Sequence, residues 1–199
     1  EADLVVVGSG VAGLSAALAA ARQAPVLRIL LVTPVAAGAD GATALAQGGI
    51  AAALGDDDDP RLHALDTLRA AGGGADPERV EILAREGPAR VLDLEDRGAE
   101  FDRGDGGELA LGLEGAHTRR RIVHVSGDRT GREVARALAG ALSDHPSIRI
   151  LAGYRAVELL LAEEVGPEDA CVVVRGVRVE AMGSGRDADG PGGEAEPAS

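Results

Sequence analysis

The sequence predicts an α/β domain built on a doubly wound, mainly parallel sheet. Two runs of Val, Leu and Ile without alternation, Asp3–Gly8 and Leu27–Thr33, are typical of buried parallel strands. The stretch between them, Val11–Gln23, is rich in Ala and Leu and has helical spacing. A turn with three glycines joins the first strand to this helix. Together these features predict a βαβ unit of about thirty residues.

The part of the chain after this unit predicts an inserted region of loops and helices. Residues 34–61 lose periodicity and end in Asp56–Asp59, for which we expect a solvated acidic loop. A short helix is expected over His63–Ala71, and another begins at Pro77. Because proline removes a helical hydrogen bond, we expect Gly87–Pro88 to break that second helix in two.

The later elements return to the sheet and then form a β-hairpin. The expected elements are a loop or small hairpin over Phe101–Leu113, a short strand within Arg119–Val125, a helix over Asp128–Leu142, a strand at Ile148–Leu151, and paired strands at Tyr154–Ala162 and Cys171–Ala181. Residues 183–199 are polar and rich in Gly, and we expect them to be disordered. The ordered domain is therefore expected to span residues 1–182.

Composition and charge exclude several classes of function. The formal net charge is −13, which disfavours binding to nucleic acids and to anionic membranes. The acidic run Asp56–Asp59 lacks the spaced ligands of a calcium loop, so no metal site is expected. The one cysteine, Cys171, has no partner for an internal disulfide and is expected to be a core thiol. With no signal peptide or apolar span in the sequence, we expect a cytoplasmic protein.

The glycines of the first turn match the G-x-G-x-x-G pattern of dinucleotide-binding domains. In that pattern Gly8 permits a tight turn, Gly10 lets a pyrophosphate approach the backbone, and Gly13 lets the helix pack on the strand. An ordinary glycine-rich turn is the alternative, but the position between a strand and a helix favours a Rossmann-like site. The predicted site comprises Gly8, Ser9, Gly10, Val11, Ala12 and Gly13.

The end of the second strand bears on which dinucleotide is bound. An Asp or Glu normally ends this strand and binds the ribose hydroxyls of NAD. Here the strand ends in Thr33, followed by Pro34. Both NAD and FAD domains use the glycine pattern, and the missing acid weakens the interpretation as an NAD domain more than as an FAD domain. Thr33 still offers a hydroxyl to the dinucleotide.

A second glycine-rich stretch carries a family resemblance. The segment GATALAQGGIAA (Gly41–Ala52), with His63–Gly72 after it, resembles the fumarate reductase, succinate dehydrogenase and L-aspartate oxidase flavoproteins. The resemblance implies that this loop runs along the flavin of FAD. It also implies noncovalent FAD, because Ala42 occupies the position of the histidine that bonds to flavin in the succinate dehydrogenase branch. The implied flavin contacts are Ala42, Thr43, Ala44, Leu45, Ala46, Gln47, Gly48 and Gly49.

A third stretch, EGAHTRRRIVHVSGDRTG (Glu114–Gly131), resembles the L-aspartate oxidase branch of this family. The resemblance implies that Glu114 contacts the amino group of the substrate. The stretch YRAVELLL (Tyr154–Leu161) resembles the family's strand whose backbone near Ala156 and Val157 meets the adenine. His117 and His124 are interpreted as structural, although His117 could line the site. The three arginines Arg119–Arg121 either anchor loops to acidic residues or bind a dicarboxylate.

The resemblance implies oxidation of L-aspartate to iminoaspartate, with oxygen or fumarate as acceptor, on the quinolinate route to NAD. Quinolinate synthase is the expected downstream partner. Two alternatives stay open, namely a succinate dehydrogenase or fumarate reductase flavoprotein and a non-enzymatic nucleotide-binding Rossmann fragment. The capping and C-terminal helical domains of the family are not found in the sequence, so the FAD-binding domain is expected to be incomplete and inactive alone.

Overall fold

The computed structural model describes residues 1–39, 41–165 and 170–183. Within these residues the chain forms an α/β fold, as the sequence predicts. In chain order the elements are β1 (Leu4–Val7), α1 (Val11–Gln23), β2 (Ile29–Thr33), α2 (Ala42–Leu45), β3 (Ile50–Ala51), α3 (Pro60–Ala71), α4 (Pro77–Asp96), β4 (Ile122–Val123), α5 (Thr130–Ser143), β5 (Ile148–Ala152), β6 (Tyr154–Val165) and β7 (Ala170–Ala181).

The main sheet is parallel and has the order β1-β2-β5. The central strand β2 pairs with β1 from Leu4 opposite Ile29, and with β5 from Ile29 opposite Ile148. This is the strand order of one half of a Rossmann domain. The core is aliphatic apart from Phe101. Many of its buried members come from α1, the main sheet and α5, namely Leu14, Ala17, Ile29, Leu31, Leu138 and Leu142, and the inserted region adds Ala52, Val91 and Val123.

The region inserted between β2 and α5 contains α2, α3, α4 and the small antiparallel sheet of β3 and β4. The expected break at Gly87–Pro88 is wrong, because α4 continues through Pro88. Its buried residues Val80, Ala84 and Val91 lie on one helical face on both sides of the proline. Packing of this face compensates for the lost hydrogen bond. No helix in the described part of the chain is both long and apolar enough to cross a membrane.

The last two strands form the expected hairpin, in which β6 pairs antiparallel with β7. The pairing register shifts between Ala156 and Glu158, so Val157 has no partner in the ladder at that point. This is the arrangement of a β-bulge. The expectation for Cys171 concerns a side chain that the structure does not describe, although the backbone of Cys171 lies in β7. The expectation of a disordered tail concerns residues outside the described ones, except for Gly183 at its start.

Candidate cofactor site

The glycine-rich turn has the backbone geometry that the sequence motif predicts. Gly8 has a φ of 100°, a conformation that L side chains rarely adopt, and its amide donates to the carbonyl of Val32 at 2.8 Å. A Cβ on Gly13 would overlap the carbonyl oxygen of Gly8. Gly13 therefore permits the close packing of α1 on the turn that follows β1.

The N-terminus of α1 meets the second glycine-rich loop. The Val11 amide donates to the Thr43 hydroxyl at 2.9 Å, and a Cβ on Gly10 would lie 3.4 Å from that oxygen. The next two amides, of Ala12 and Gly13, have no acceptor within the helix because they belong to its first turn. They are the donors that a helix N-terminus offers to phosphate. Thr43 thus connects the predicted pyrophosphate site to the predicted flavin loop.

The predicted flavin loop, residues 42–49, is held from two further directions. At one end, the amide of Gly131 in α5 donates to the Ala46 carbonyl at 3.0 Å. A Cβ on Gly131 would overlap the Thr43 carbonyl oxygen and lie 2.7 Å from that of Ala46. At the other end, a Cβ on Gly49 would overlap Ile122 and the carbonyl of Val123. Ala42, Ala46, Gln47 and Gly48 are exposed, and Leu45 is 71% exposed, so the loop presents an open surface.

The other predicted FAD contacts have different environments. Thr33 is fully buried, and its hydroxyl forms a hydrogen bond of 2.7 Å with the hydroxyl of Ser9. Its hydroxyl therefore joins β2 to the glycine turn and does not face outward. Ala156 is half-buried and Val157 is exposed at the bulge of β6. The bulge leaves the Val157 backbone outside the strand ladder, where a ligand can reach it.

Glu114 lies in a loop that is closed at its base by an antiparallel bridge between Gly112 and Ile122. The Arg121 amide donates to the Gly112 carbonyl at 3.0 Å. Near the tip, the His117 amide donates to the Glu114 carbonyl at 3.2 Å, and Ala116 adopts a φ of 69°. The Glu114 side chain is exposed. A carboxylate so placed can receive a cationic group from outside the chain.

A buried ion network lies beneath this loop. Arg121 is fully buried and donates from Nε and Nη2 to the two carboxylate oxygens of Asp58, each at 2.8 Å. Its Nη1 donates to Asp66 in α3 at 3.0 Å. The expectation of a solvated acidic loop at Asp56–Asp59 is therefore wrong for Asp58, because Arg121 draws its carboxylate inside. Asp59 instead forms the N-cap of α3 by accepting from the Arg61 amide.

The pKa values of Asp66 and His63 are both shifted by this environment. Burial raises the pKa of Asp66, but hydrogen bonds from the Thr118 amide and hydroxyl and from Arg121 outweigh burial and hold that pKa below its usual value. Burial lowers the pKa of His63, and the charge of Arg121 lowers it further. His63 therefore stays neutral in the interior, where its Nδ1 has no hydrogen-bond partner within the described residues.

The remaining histidine and arginine candidates have structural contacts. Nδ1 of His124 lies 2.9 Å from Asp102, and Asp102 also accepts from the Ser126 amide. Nδ1 of His117 lies 3.3 Å from Nη1 of Arg121. Arg119 donates to the Asp57 carbonyl at 3.1 Å. Of the two interpretations of the arginines, anchoring of loops is the one that these contacts favour.

Sequence reasoning missed two sets of residues. Asp58 and Asp66 hold the Glu114 loop, and Gly131 docks α5 on the flavin loop. For Asp66 the available signal was the i, i+3 spacing of His63 and Asp66, which puts two polar side chains on one face of α3. Gly131 ends the stretch that carries the family resemblance, but no local pattern indicates that it packs on the flavin loop, because its close neighbours are distant in sequence.

A parallel sheet with a glycine turn at a helix N-terminus, and a second glycine-rich loop docked on that turn, defines a dinucleotide-binding domain of the flavoprotein class. The family model described as an FAD binding domain matches residues 3–191, and the chain belongs to that family. The donors of the α1 N-terminus and the open surface of the loop at 42–49 fit such a cofactor. FAD is therefore the cofactor of this domain, while the individual contact residues stay predictions.

Relatives of this chain include L-aspartate oxidases. That of Streptomyces coelicolor is 46% identical over 197 residues, which cover 99% of this chain and 32% of that protein. The L-aspartate oxidase of Mesorhizobium japonicum is 45% identical over 159 residues, which cover 80% of this chain and 30% of that protein. The apo structure of the Mycobacterium smegmatis Sdh1 complex is similar with a TM-score of 0.74 and 34% identity, over 82% of this chain and 29% of that one. The chain thus spans about a third of the length of the curated relatives it matches.

Proposed function

We propose that this chain is the FAD-binding part of a flavin-dependent oxidase that converts L-aspartate to iminoaspartate. Oxygen or fumarate accepts the electrons, and the reaction belongs to the quinolinate route to NAD. The observation that carries the proposal is Glu114, an exposed carboxylate on a loop that buried contacts hold in place. A carboxylate pairs with an ammonium group, which L-aspartate has and succinate lacks.

The relatives support this proposal over its first alternative. Those reported above at 45–46% identity are named L-aspartate oxidases, whereas the Sdh1 complex is similar at 34%. A succinate dehydrogenase or fumarate reductase flavoprotein nevertheless has the same fold, so substrate preference must be tested directly. The second alternative, a non-enzymatic nucleotide-binding fragment, predicts binding without turnover.

The roles that we propose for the residues follow from their positions. FAD, when bound, supplies the acceptor for the hydride that leaves the substrate α-carbon. The amides at the start of α1 hold the pyrophosphate, and the loop at 42–49 lies along the flavin ring. Glu114 binds the substrate ammonium and orients the α-carbon. Closure of the pocket against water is assigned to the family's capping domain, which lies outside residues 1–182.

Two further proposals accompany this function. Quinolinate synthase, or an enzyme of the same reaction class, consumes the iminoaspartate. We expect the protein to act in the cytoplasm.

The flavin is expected to be noncovalent, because the side chain of Ala42 has no nucleophile. The purified protein with bound FAD should show flavin absorption in the visible range. Acid precipitation should then leave the yellow colour in the supernatant, measured by absorbance and by fluorescence. Flavin that stays with the washed protein pellet would show a covalent bond and contradict this prediction.

Glu114→Gln is expected to weaken turnover of L-aspartate more than reduction of fumarate. The change removes the charge that pairs with the substrate ammonium, and a hydrogen bond to a charged group contributes about 1.5–3 kcal/mol. The measurement is kcat/KM for peroxide release with L-aspartate, and the rate of fumarate reduction with a chemical reductant. Both are made on the whole enzyme that carries this chain.

Glu86→Gln is the matched control, because Glu86 is exposed on α4 and the same charge is removed there. It should change neither reaction by more than about twofold. Equal losses in both reactions for Glu114→Gln would mean that Glu114 does not bind the amino group.

A further inference from the structure

The loop of residues 112–121 carries Glu114 at its exposed tip and is anchored to a buried side chain. Its anchor is Thr118, four residues after Glu114. The Thr118 amide and hydroxyl both donate to the same carboxylate oxygen of Asp66, at 2.8 and 2.7 Å. Asp66 belongs to α3 and is 3% exposed. One buried oxygen thus fixes the loop to a helix that is 52 residues away in sequence.

The same oxygen also accepts from Nη1 of Arg121, at 3.0 Å. Arg121 follows the anchor in the chain and is itself held by Asp58. Its Nη1 lies 3.3 Å from Nδ1 of His117, and because guanidinium only donates, that nitrogen must accept. The proton of neutral His117 is therefore on Nε2. Contacts therefore hold the loop on both sides of Ala116. They offset the cost of the left-handed backbone conformation of that residue.

These contacts involve no group that touches the proposed substrate directly. Asp66 and Arg121 are buried, and their charged atoms satisfy one another. Both residues hold the loop of residues 112–121 in place. Glu114 is the acidic residue of that loop, and its side chain is exposed. A carboxylate that is held in one place loses less entropy when it binds an ammonium group than one on a mobile loop.

We propose that Asp66 and Thr118 are positioning residues that set the preference for an amino dicarboxylate over a plain dicarboxylate. They hold the loop of residues 112–121 on α3, so that Glu114 is presented to the substrate ammonium in one orientation. The proposal rests on the proposed function of Glu114. It assigns specificity to a helix that lies outside the glycine-rich cofactor site.

The test is Thr118→Val in the whole enzyme with FAD bound. Valine removes the hydroxyl donor but keeps the shape, the amide donor and the Asp66–Arg121 pair, so the variant should fold. We expect KM for L-aspartate to rise on the order of tenfold, because small displacements of an orienting group have effects of this size or larger. Fumarate reduction should stay within about twofold, and Thr118→Ser should restore the KM for L-aspartate.

Thr67→Val is the matched control, because Thr67 follows Asp66 in α3 and its hydroxyl donates to the His63 carbonyl within the same helix. A double variant with Glu114→Gln completes the test. If Thr118 acts through Glu114, Thr118→Val should add less than about twofold in that background. Additive losses, or equal losses with L-aspartate and fumarate, overturn the positioning role while leaving an aspartate-selective Glu114 intact. A Glu114→Gln variant that slows both reactions equally instead contradicts the proposed function, and the positioning role with it.

Discussion

Gly131→Ala is expected to destabilise the domain and to weaken FAD binding strongly. The new methyl group would overlap the Thr43 carbonyl oxygen and lie 2.7 Å from that of Ala46. Both are backbone atoms, so the clash is relieved only if α5 and the flavin loop move apart. Overpacking of this kind costs about 1–3 kcal/mol of unfolding free energy. The displaced loop also carries Thr43, whose hydroxyl accepts from the Val11 amide at the start of α1.

The measurements are chemical denaturation and titration with FAD followed by flavin fluorescence. We expect the affinity for FAD to fall on the order of tenfold or more. Gly140→Ala is the control, since Gly140 is exposed in the same helix and a Cβ there meets nothing within 4 Å. This control should raise stability by about 0.5–1 kcal/mol through helix propensity. A Gly131→Ala variant with unchanged FAD affinity would refute the docking of α5 on the flavin loop.

Among substitutions of charged residues, Arg121→Met is expected to lower the free energy of unfolding the most. It leaves the carboxylates of Asp58 and Asp66 buried without their shared cation. Removing one member of a buried ion pair costs about 3–5 kcal/mol. Arg119→Met is the control, because Arg119 is 41% exposed and its partner Asp57 is 77% exposed. A surface pair of this kind contributes at most about 1 kcal/mol.

The pH dependence separates this explanation from a simple packing defect. The folded-state pKa of Asp66 is lowered, so in the unchanged protein its contribution to stability is present above the ordinary value of 3.8 and is lost as pH falls below it. In Arg121→Met the Asp66 carboxylate loses its cation, so burial raises the pKa of Asp66 above its value in the unchanged protein. The variant should therefore recover stability as pH falls from 7 toward 5, measured by urea denaturation. A deficit that does not depend on pH over this range would contradict the role of the buried charges.

Local sequence was sufficient for the parts of the fold that depend on neighbouring residues. The βαβ unit, the glycine turn at Gly8–Gly13 and the hairpin of β6 and β7 were all predicted, because strand and helix patterns and turn glycines report local backbone preferences. The same reasoning was wrong about Gly87–Pro88, because packing of Val80, Ala84 and Val91 overrides the local effect of a proline. It was wrong about Asp58 because a distant arginine draws that carboxylate inside.

The sequence by itself determined the class of the domain, since the glycine spacing between strand and helix permits the close approach of a dinucleotide. That the dinucleotide is FAD was implied by the resemblance of Gly41–Ala52 to flavoproteins. Only the tertiary structure decided how the pieces of the site meet. Thr43 reaches the first amide of α1, Gly131 packs on the flavin loop, and Asp66 holds the loop that carries Glu114. These contacts join residues 32 to 88 positions apart. Their distances depend on how the inserted helices pack against the sheet, which no local pattern encodes.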